Sequence, residues 1–493
     1  MNTSPTRKAK PAGVGVAILL SLLGLALALT LLPGDVTGNG VLMPSAFAMC
    51  LTILAYPICR IAFGGVRELL HCDVIVLVGF AYLTFGDVVQ PNFSFPLDKP
   101  VLIECYSAIT IFVVAFIIAA NVQPIRIPRV LLRLADTDYS AREILVMATF
   151  FFVAGMFNYA YFSNFSPTTM IAGLQAARFG APWSRGALGG WNAFPDFLTN
   201  CGWLLPSFAV TLRFRTGRWL DSRAILASVY SGIFVLFAAQ EGGRRKIAVM
   251  IGAALLTWLL MKRGRLNIPR MVVGAIVVIA LLAGMEVMMN VRTFGLGSGQ
   301  VNATEIDRIH VDQNLVTLGQ LVAAVPEQQP YVTWRFLLYA ATLPVPRVLW
   351  SGKPEGPGFS LSEYLLGDAP GVTYTVTSVG EWYMAFGLFG VVITGLLQGV
   401  LAHSWDALVK PGMKLSGAVL YGLGAVIQVG GCRSIYELEL MSYCIVCWLG
   451  ANAALNIFRG RVRRRDPRRE VLNNSFAGRD PFKDTVLGVA ERK

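Results

Sequence analysis

Charged residues are scarce in this chain. Asp, Glu, Lys and Arg together make up 14% of its 493 residues, whereas soluble domains carry about 25%. This scarcity excludes an ordinary soluble globular protein, and the mean hydropathy of +0.58 is typical of a membrane protein. The alternating apolar pattern of membrane barrels is also lacking. Apolar runs of about 20 residues, each long enough to cross a bilayer, recur along the chain instead. We therefore expect an all-α polytopic membrane protein.

Histidine is rare, and the cysteines show no pairing pattern. The chain has three His and eight Cys, and nearly all of the cysteines fall within apolar runs. Cys444 and Cys447 form a C-x-x-C pair without a nearby His, which indicates helix packing rather than a metal or redox site. These features exclude a disulfide framework, and no metal or cofactor is expected.

An internal repeat is also lacking, and the apolar stretches are spaced irregularly. The stretches predicted to span the membrane are 13–33, 41–59, 73–88, 101–120, 143–161, 196–212, 225–239, 247–261, 271–290, 383–404, 416–430 and 439–458. About 12 spans place both termini on one side. Residues 1–458 are thus predicted to form a single integral membrane domain, and 459–493 a basic tail without fixed structure.

Positive charge is distributed unevenly between the two sides of the predicted membrane domain. Most of the 42 Lys and Arg residues fall in the tail and in the connections on one side, which the positive-inside rule assigns to the cytoplasm. This asymmetry explains most of the net charge of +13 without a nucleic-acid partner. Two long loops then face outward, a small loop at 163–195 and a large loop at 291–382. The large loop is rich in aromatic and aliphatic residues, so we expect it to contain short helices at the outer interface.

Three consecutive cations break this distribution. Arg244, Arg245 and Lys246 separate the apolar stretches 225–239 and 247–261 on the outer side. Each stretch has about 15 residues and would extend ~23 Å as a helix, which is less than the ~30 Å of the hydrocarbon core. The cations are therefore expected at or below the headgroups, where unpaired charges are costly and are usually functional.

Two interpretations of these cations remain open. Glu241 and Glu286 are the acids expected nearby, and with Arg292 also close they leave a positive excess. That excess favours an anion site, and the planar fork of Arg suits a phosphate. The alternative is an internal ion-pair network without a ligand. A lipid-linked diphosphate is the anion that would reach such a site from the bilayer, with surrounding membrane lipids as the other partners.

Two segments near the end of the large loop resemble a known family. They are LPVPRVLWSGKPEGPGFS (Leu343–Ser360) and GEWYMAFGLFGVV (Gly380–Val392). The pattern Pro-Arg-x-x-Trp-x-x-Lys-Pro, followed by Gly-Glu-x-Tyr-x-x-Phe-Gly-x-x-Gly, resembles the Wzy-type oligosaccharide repeat-unit polymerases of the O-antigen polymerase/ligase superfamily. The chain also resembles this family in its two long outer loops, its roughly twelve predicted spans and its Arg-bearing hairpin.

The resemblance implies a GT-C-like, metal-independent glycosyltransferase in the bacterial inner membrane. Its substrates would be undecaprenyl-diphosphate-linked oligosaccharides on the periplasmic side, and a chain-length regulator is a candidate partner. Negative charge develops on the leaving diphosphate, so cations aimed there would stabilise the transition state. The cations implied for this role are Arg244, Arg245, Arg178, Arg292, Arg347 and Lys353.

The acceptor hydroxyl needs a base or an orienting acceptor. The candidates are His310, Asp307, Asp312, Glu363 and Glu381. For His310 and Glu381, an ordinary structural hydrogen bond is the alternative. Aromatic faces for the sugar rings are expected from Trp183, Trp350 and Tyr383, and an interfacial belt is the alternative for the tryptophans.

Two other functions remain open at this stage. A ligase of the same superfamily would move the glycan to another acceptor by the same chemistry. A transporter or flippase of lipid-linked glycan belongs to a different class, which typically shows paired repeats and broken helices meeting at mid-bilayer. The lack of a repeat disfavours transport.

Overall fold

The computed structural model describes most of the chain. All of the regular secondary structure in the described residues is helical. The described residues are 11–184, 193–218, 220–261, 268–294, 311–345, 349–350, 352–354, 356–366, 374–410 and 412–465. The α-helices in them are α1 (Pro11–Thr30), α2 (Met43–Gly64), α3 (Cys72–Phe85), α4 (Lys99–Ala120), α5 (Arg129–Asp136), α6 (Ala141–Phe162), α7 (Pro167–Gln175), α8 (Ala193–Gly202), α9 (Leu205–Thr216), α10 (Ser222–Gln240), α11 (Arg244–Met261), α12 (Ile268–Phe294), α13 (Asn314–Ala324), α14 (Trp334–Thr342), α15 (Leu361–Leu366), α16 (Thr377–Asp406), α17 (Leu415–Arg433) and α18 (Ile435–Arg465).

Within those residues, nine helices are long and apolar enough to cross a membrane. They are α1, α2, α4, α6, α10, α12, α16, α17 and α18. The expectation of an all-α polytopic membrane protein is confirmed at this level.

The other three predicted spans form helices that do not meet the same criterion. The stretch 73–88 is α3, which has 14 residues. The stretch 196–212 is divided into α8 and α9. Pro206, in the first turn of α9, helps to explain the division, because proline has no backbone N–H to continue the hydrogen bonding of α8. The stretch 247–261 belongs to α11, whose first turn is Arg244–Lys246.

The chain divides into two compact units within α18, Met1–Ile445 and Val446–Lys493. The boundary expected after residue 458 lies further along the same helix. In the second unit the described residues are the remainder of α18, to Arg465. Most of the predicted basic tail, 459–493, lies outside the described residues. The sites considered below all lie in the first unit.

Close backbone packing joins α16 to α4. A Cβ built on Gly395 would lie 2.6 Å from the carbonyl oxygen of Phe112, and one on Gly399 would meet the Phe116 carbonyl even more closely. Small residues four apart allow two membrane helices to approach in this way. Gly395 and Gly399 therefore form a packing motif between these two helices.

The described part of the large loop folds onto the beginning of α16. Its helices α13 and α14 contribute Leu321 and Phe336 to a buried apolar cluster that also contains Trp382 and Met384 of α16. The expectation that this loop forms helices is confirmed for the described residues, because its apolar side chains have a core to fill.

The residues just before α14 form hydrogen bonds with backbone groups at a break in α16. Phe386 and Gly387 leave the helical region, and Gly387 has φ +64°, where glycine meets no steric penalty. The N–H of Val332 donates to the carbonyl of Met384 at 3.1 Å, and the N–H of Thr333 donates to that of Ala385 at 3.1 Å. The loop backbone thereby satisfies carbonyl groups next to the break.

Candidate functional site

The three consecutive cations form the first turn of α11. A tight turn with Gly242 at φ +69° separates them from the end of α10. The two helices contain 19 and 18 residues, so each is roughly 27–29 Å long at 1.5 Å per residue. The shortfall against the ~30 Å hydrocarbon core is therefore smaller than the apolar stretches predict, because Arg244–Lys246 and the residues at the start of α10 are themselves helical. The cations lie near the end of the hairpin rather than deep within it.

Asp312 joins two of the helices that meet at this turn. Its Oδ1 accepts a hydrogen bond from Nη2 of Arg244 at 2.8 Å, and its Oδ2 accepts one from Nε of Arg433 at 2.7 Å. The side chains of Arg244 and Arg433 are 19% and 16% exposed. The last turn of α17 and the first turn of α11 are thus bridged by a carboxylate from the large loop.

Glu437 and Glu241 complete this set of contacts. Glu437, in the first turn of α18, pairs with both Arg433 and Arg245, and Glu241 pairs with Lys246. We call the whole set the arginine network. Its members are Arg244, Arg245, Lys246, Arg433, Asp312, Glu437 and Glu241.

The arginine network is close to electrically balanced. It contains four cations and three acids. Glu286, the other acid expected near these cations, is buried in α12. These described pairs reduce the positive excess expected from the sequence, because Asp312 and Glu437 arrive from distant parts of the chain. The ion pairs of the alternative interpretation are present, and the anion site stays a prediction.

The position of Asp312 is fixed from α3. The carboxylate of Asp87, just beyond the end of that helix, accepts hydrogen bonds from the N–H groups of Val311 at 2.7 Å and Gln313 at 2.9 Å. Gln313 adopts the left-handed conformation with φ +50°. The two bonds clamp the backbone on either side of Asp312 and so direct its carboxylate toward the two arginines.

Glu381 fixes the turn between α17 and α18 by accepting hydrogen bonds from it. It is 4% exposed, and it accepts a hydrogen bond from the Ser434 hydroxyl and another from the Ile435 N–H at 2.7 Å. Ile435 is the first residue of α18, so Glu381 caps that helix. Of the two roles considered for Glu381, the contacts favour the structural one, which holds Arg433 and Glu437 in place.

We expect Glu381→Gln to destabilise the protein by about 1–3 kcal/mol, because the glutamine NH2 group cannot accept the bond that the second carboxylate oxygen accepts. Thermal unfolding of the purified protein, followed by tryptophan fluorescence, measures this. Glu363→Gln is the matched control, since Glu363 is an exposed acid of α15 in the same loop. An unchanged unfolding temperature combined with complete loss of activity would instead identify Glu381 as the base.

Two residues expected to stack on sugars are buried. Trp183 is 6% exposed, and its indole N–H donates to Oε1 of Gln240 at 2.8 Å. Tyr383 is 3% exposed, and its hydroxyl bonds to Glu104 of α4. Neither ring offers an open face, so the glycan-binding prediction for both is wrong in this structure. Trp350 is 41% exposed, so its role as a glycan-binding residue stays a prediction.

The remaining predicted residues are dispersed. Lys353 donates to the carbonyls of Leu343 at 3.1 Å and Val345 at 2.9 Å, just after α14. Arg178 lies in a short 3-10 turn with its guanidinium 5.3 Å from the ring centre of Phe179. The candidates whose structure or side chain lies outside the described residues are Asp307, His310, Arg347 and Arg292.

An apolar groove of about 210 Å³ opens beside the α10–α11 turn, between α7, α10 and α12. Gln240 lies at its edge and also bonds to the Ala176 carbonyl at 3.2 Å, which ties the small loop to the end of α10. The groove is lined by Leu174, Leu236, Ala239, Gln240, Gly284, Val287 and Met288. An apolar chain lying in it would have its end close to Glu241 and the cations that follow.

Sequence reasoning missed Arg433, Ser434 and Glu437. A signal was present, because Arg433 and Glu437 stand four residues apart in the short connection between two apolar stretches. That spacing predicts an ion pair on a helix, although Arg433 is the last residue of α17 and lies two residues before α18 begins.

Comparison with protein-family models, with curated proteins and with solved structures finds no match to this chain. The geometry of the arginine network and the sequence resemblance are therefore the two features from which a function can be proposed.

Proposed function

We propose that this protein is a membrane glycosyltransferase that polymerises undecaprenyl-diphosphate-linked oligosaccharide repeat units. The reaction takes place at the outer face of the bacterial inner membrane. The anomeric carbon of one lipid-linked glycan forms a bond to an acceptor hydroxyl of the next unit, and its bond to the diphosphate breaks. The hydroxyl proton passes to a base or to the leaving group. A GT-C-like fold is part of this proposal.

The observation that carries the proposal is the meeting of four cations where α11, α17 and α18 come together, namely Arg244, Arg245, Lys246 and Arg433. Arg245 is 39% exposed, so the group is accessible from outside. A guanidinium has five N–H donors, and pairing with a carboxylate therefore does not by itself exclude a phosphate. Cations held rigidly by carboxylates are suited to stabilise the charge that develops on a departing diphosphate.

The apolar groove supports a lipid-linked substrate in particular. It lies between helices that are expected to face lipid, and it ends beside the α10–α11 turn. An isoprenoid chain in the groove would place its diphosphate next to the cations. A soluble phosphate donor would have no use for such a groove.

Asp312 fits an orienting role better than that of the base. Both of its oxygens already accept hydrogen bonds from arginines, so neither is aimed at an acceptor hydroxyl. Within the proposal, His310 and Asp307 remain the candidates for that proton transfer, in the part of the large loop that follows α12.

Reconstitution tests the proposed reaction directly. The purified protein in vesicles, given a lipid-linked oligosaccharide, should produce a ladder of longer glycans on a gel and release undecaprenyl diphosphate. Transfer to a non-glycan acceptor without a ladder would replace the polymerase by the ligase. Movement of the lipid across the bilayer without bond formation would replace it by a flippase.

The proposed orientation has its own test. We expect alkaline phosphatase fused after Gln300, in the large loop, to be active, because this enzyme works in the periplasm. The same reporter fused after Thr216, at the end of α9, should be inactive. The reverse pattern would place the arginine network in the cytoplasm, away from substrates that are assembled outside.

A further inference from the structure

The end of α3 opposite to Asp87 carries a second group of titratable side chains. His71 precedes the helix, Asp73 lies in its first turn, and Asp406 is the last residue of α16. Each of the three offers one ligand atom, and these atoms all lie within 4.8 Å of one another. We call this set the histidine cluster. It is separated from the arginine network by the length of α3, roughly 21 Å for 14 residues.

One atom of the histidine cluster points inward without a hydrogen bond. The side chain of Asp406 is 8% exposed, and its Oδ2 is buried with no hydrogen-bond partner among the described residues. Nδ1 of His71 lies 3.4 Å from this oxygen and forms an ion pair with it when the imidazole is protonated. When the imidazole is neutral, the buried oxygen lacks a hydrogen bond among the described residues, which is unfavourable, and a metal ion that coordinates it would remove the penalty.

The surrounding contacts hold the carboxylates in the orientation that a metal ligand needs. Oδ1 of Asp406 accepts from the Cys72 N–H at 2.7 Å and lies 2.7 Å from the Tyr421 hydroxyl. The carboxylate of Asp73 accepts from the Tyr56 hydroxyl at 2.9 Å. Such supporting bonds are the usual second layer around a bound metal.

The imidazole of His71 also has a carboxylate beside each of its two ring nitrogens. While Nδ1 of His71 faces Asp406, its Nε2 lies 3.8 Å from Oε2 of Glu68. A histidine that binds a metal through one nitrogen commonly gives the other N–H to a carboxylate. With 34% of its side chain exposed, His71 also leaves a path from solvent.

The charges of the cluster favour a divalent cation. Glu68, Asp73 and Asp406 are three carboxylates, and within their described ion pairs Arg60 is the one permanent cation. Two negative charges remain when His71 is neutral. One imidazole nitrogen and two carboxylate oxygens are ligands that suit ions such as Zn²⁺.

We propose that His71, Asp73 and Asp406 bind one divalent transition-metal ion, which joins the start of α3 to the end of α16. This site lies at the other end of α3 from the arginine network and takes no part in the proposed glycosyl transfer. Its role is to hold together α3 and α16, whose opposite ends lie beside Asp87 and Glu381, the two acids that position Asp312 and the start of α18.

Metal binding by the full-length protein in detergent tests this site. After removal of metals with a chelator, we expect one Zn²⁺ per chain by elemental analysis and calorimetry, and visible absorption bands when Co²⁺ replaces it. His71→Gln and Asp406→Asn should each weaken Zn²⁺ binding at least ~10-fold. Zn²⁺ should raise the unfolding temperature of the unsubstituted protein and have little effect on either variant.

His403→Gln is the matched control, because His403 lies on α16 one turn before Asp406 but is not among the three ligands. It should bind Zn²⁺ as the unsubstituted protein does. No stoichiometric Zn²⁺ or Co²⁺, or binding that both variants retain, would overturn the proposal. If Asp406→Asn fails to accumulate, His71→Gln decides the question, since the His71 side chain is one-third exposed.

Discussion

Replacing Arg244 with alanine is expected to reduce polymer formation at least ~100-fold while the protein still accumulates in the membrane. Removal of one group that stabilises developing negative charge typically has an effect of this size. Arg244 is partly exposed and lies in the first turn of α11, so its loss removes the proposed phosphate contact without opening a core. The length distribution of the polysaccharide on a gel, together with immunoblotting of the membrane fraction, measures both quantities.

Arg223→Ala is the control for this experiment. Arg223 forms an exposed pair with Asp221 at the other end of α10, so its replacement should leave the polymer unchanged. Full-length polysaccharide from the Arg244→Ala variant would rule out the anion-binding role.

A double variant separates substrate binding from ion pairing. If Arg244 serves only to pair with Asp312, then Arg244→Ala leaves that carboxylate with Arg433 alone among its described ion-pair partners. Adding Asp312→Asn, whose amide oxygen can still accept the bond from Arg433, should then restore activity. If Arg244 binds the diphosphate, the double variant stays inactive. Recovery of polymer in the double variant would therefore identify the arginine network as purely structural.

The second large effect is expected at Gly399. A side chain there would press against the Phe116 carbonyl and would bring its Cβ to 2.9 Å from that of Ala119. Gly399→Val should therefore force α16 away from α4 and destabilise the protein by about 1–3 kcal/mol or more. The amount of folded protein after detergent extraction and gel filtration measures this loss.

Gly274→Val supplies the matched comparison. Gly274 also lies within a helix, α12, but a Cβ at that position meets nothing within 4 Å. Both variants change the intrinsic helix propensity equally, so a difference between them reports the packing of α16 on α4. Equal recovery of both proteins would contradict the close approach of these two helices.

Local sequence patterns predicted the helices better than the site. Apolar run length is a local property, and each of the twelve stretches that it selected falls on a helix. Only nine helices among the described residues are long and apolar enough to cross a membrane, and α3, the α8–α9 pair and α11 are not among them. Arg244 and Arg245 were also visible, since cations in an apolar hairpin are conspicuous. Their partners were not visible, because Asp312 and Glu437 approach only after α11, α17 and α18 have packed.

The same limitation explains the two aromatic errors. Trp183 stands in the small loop and Tyr383 at the first residue of a predicted span, where an indole or phenol ring suggests a binding face. Their burial depends on Gln240 and Glu104, which lie on other helices. Nothing in the neighbouring residues records those distant partners.

The break in α16 has a consequence for how the chain is assembled. Val332 and Thr333 leave the ribosome before Met384 and Ala385, so the amides that pair with these carbonyls already exist when α16 enters the insertion machinery. In hydrocarbon an unsatisfied carbonyl costs several kcal/mol. A nascent chain with the large loop held apart from α16 would therefore stall with an incompletely inserted helix, which makes the loop a folding partner of the helix that follows it.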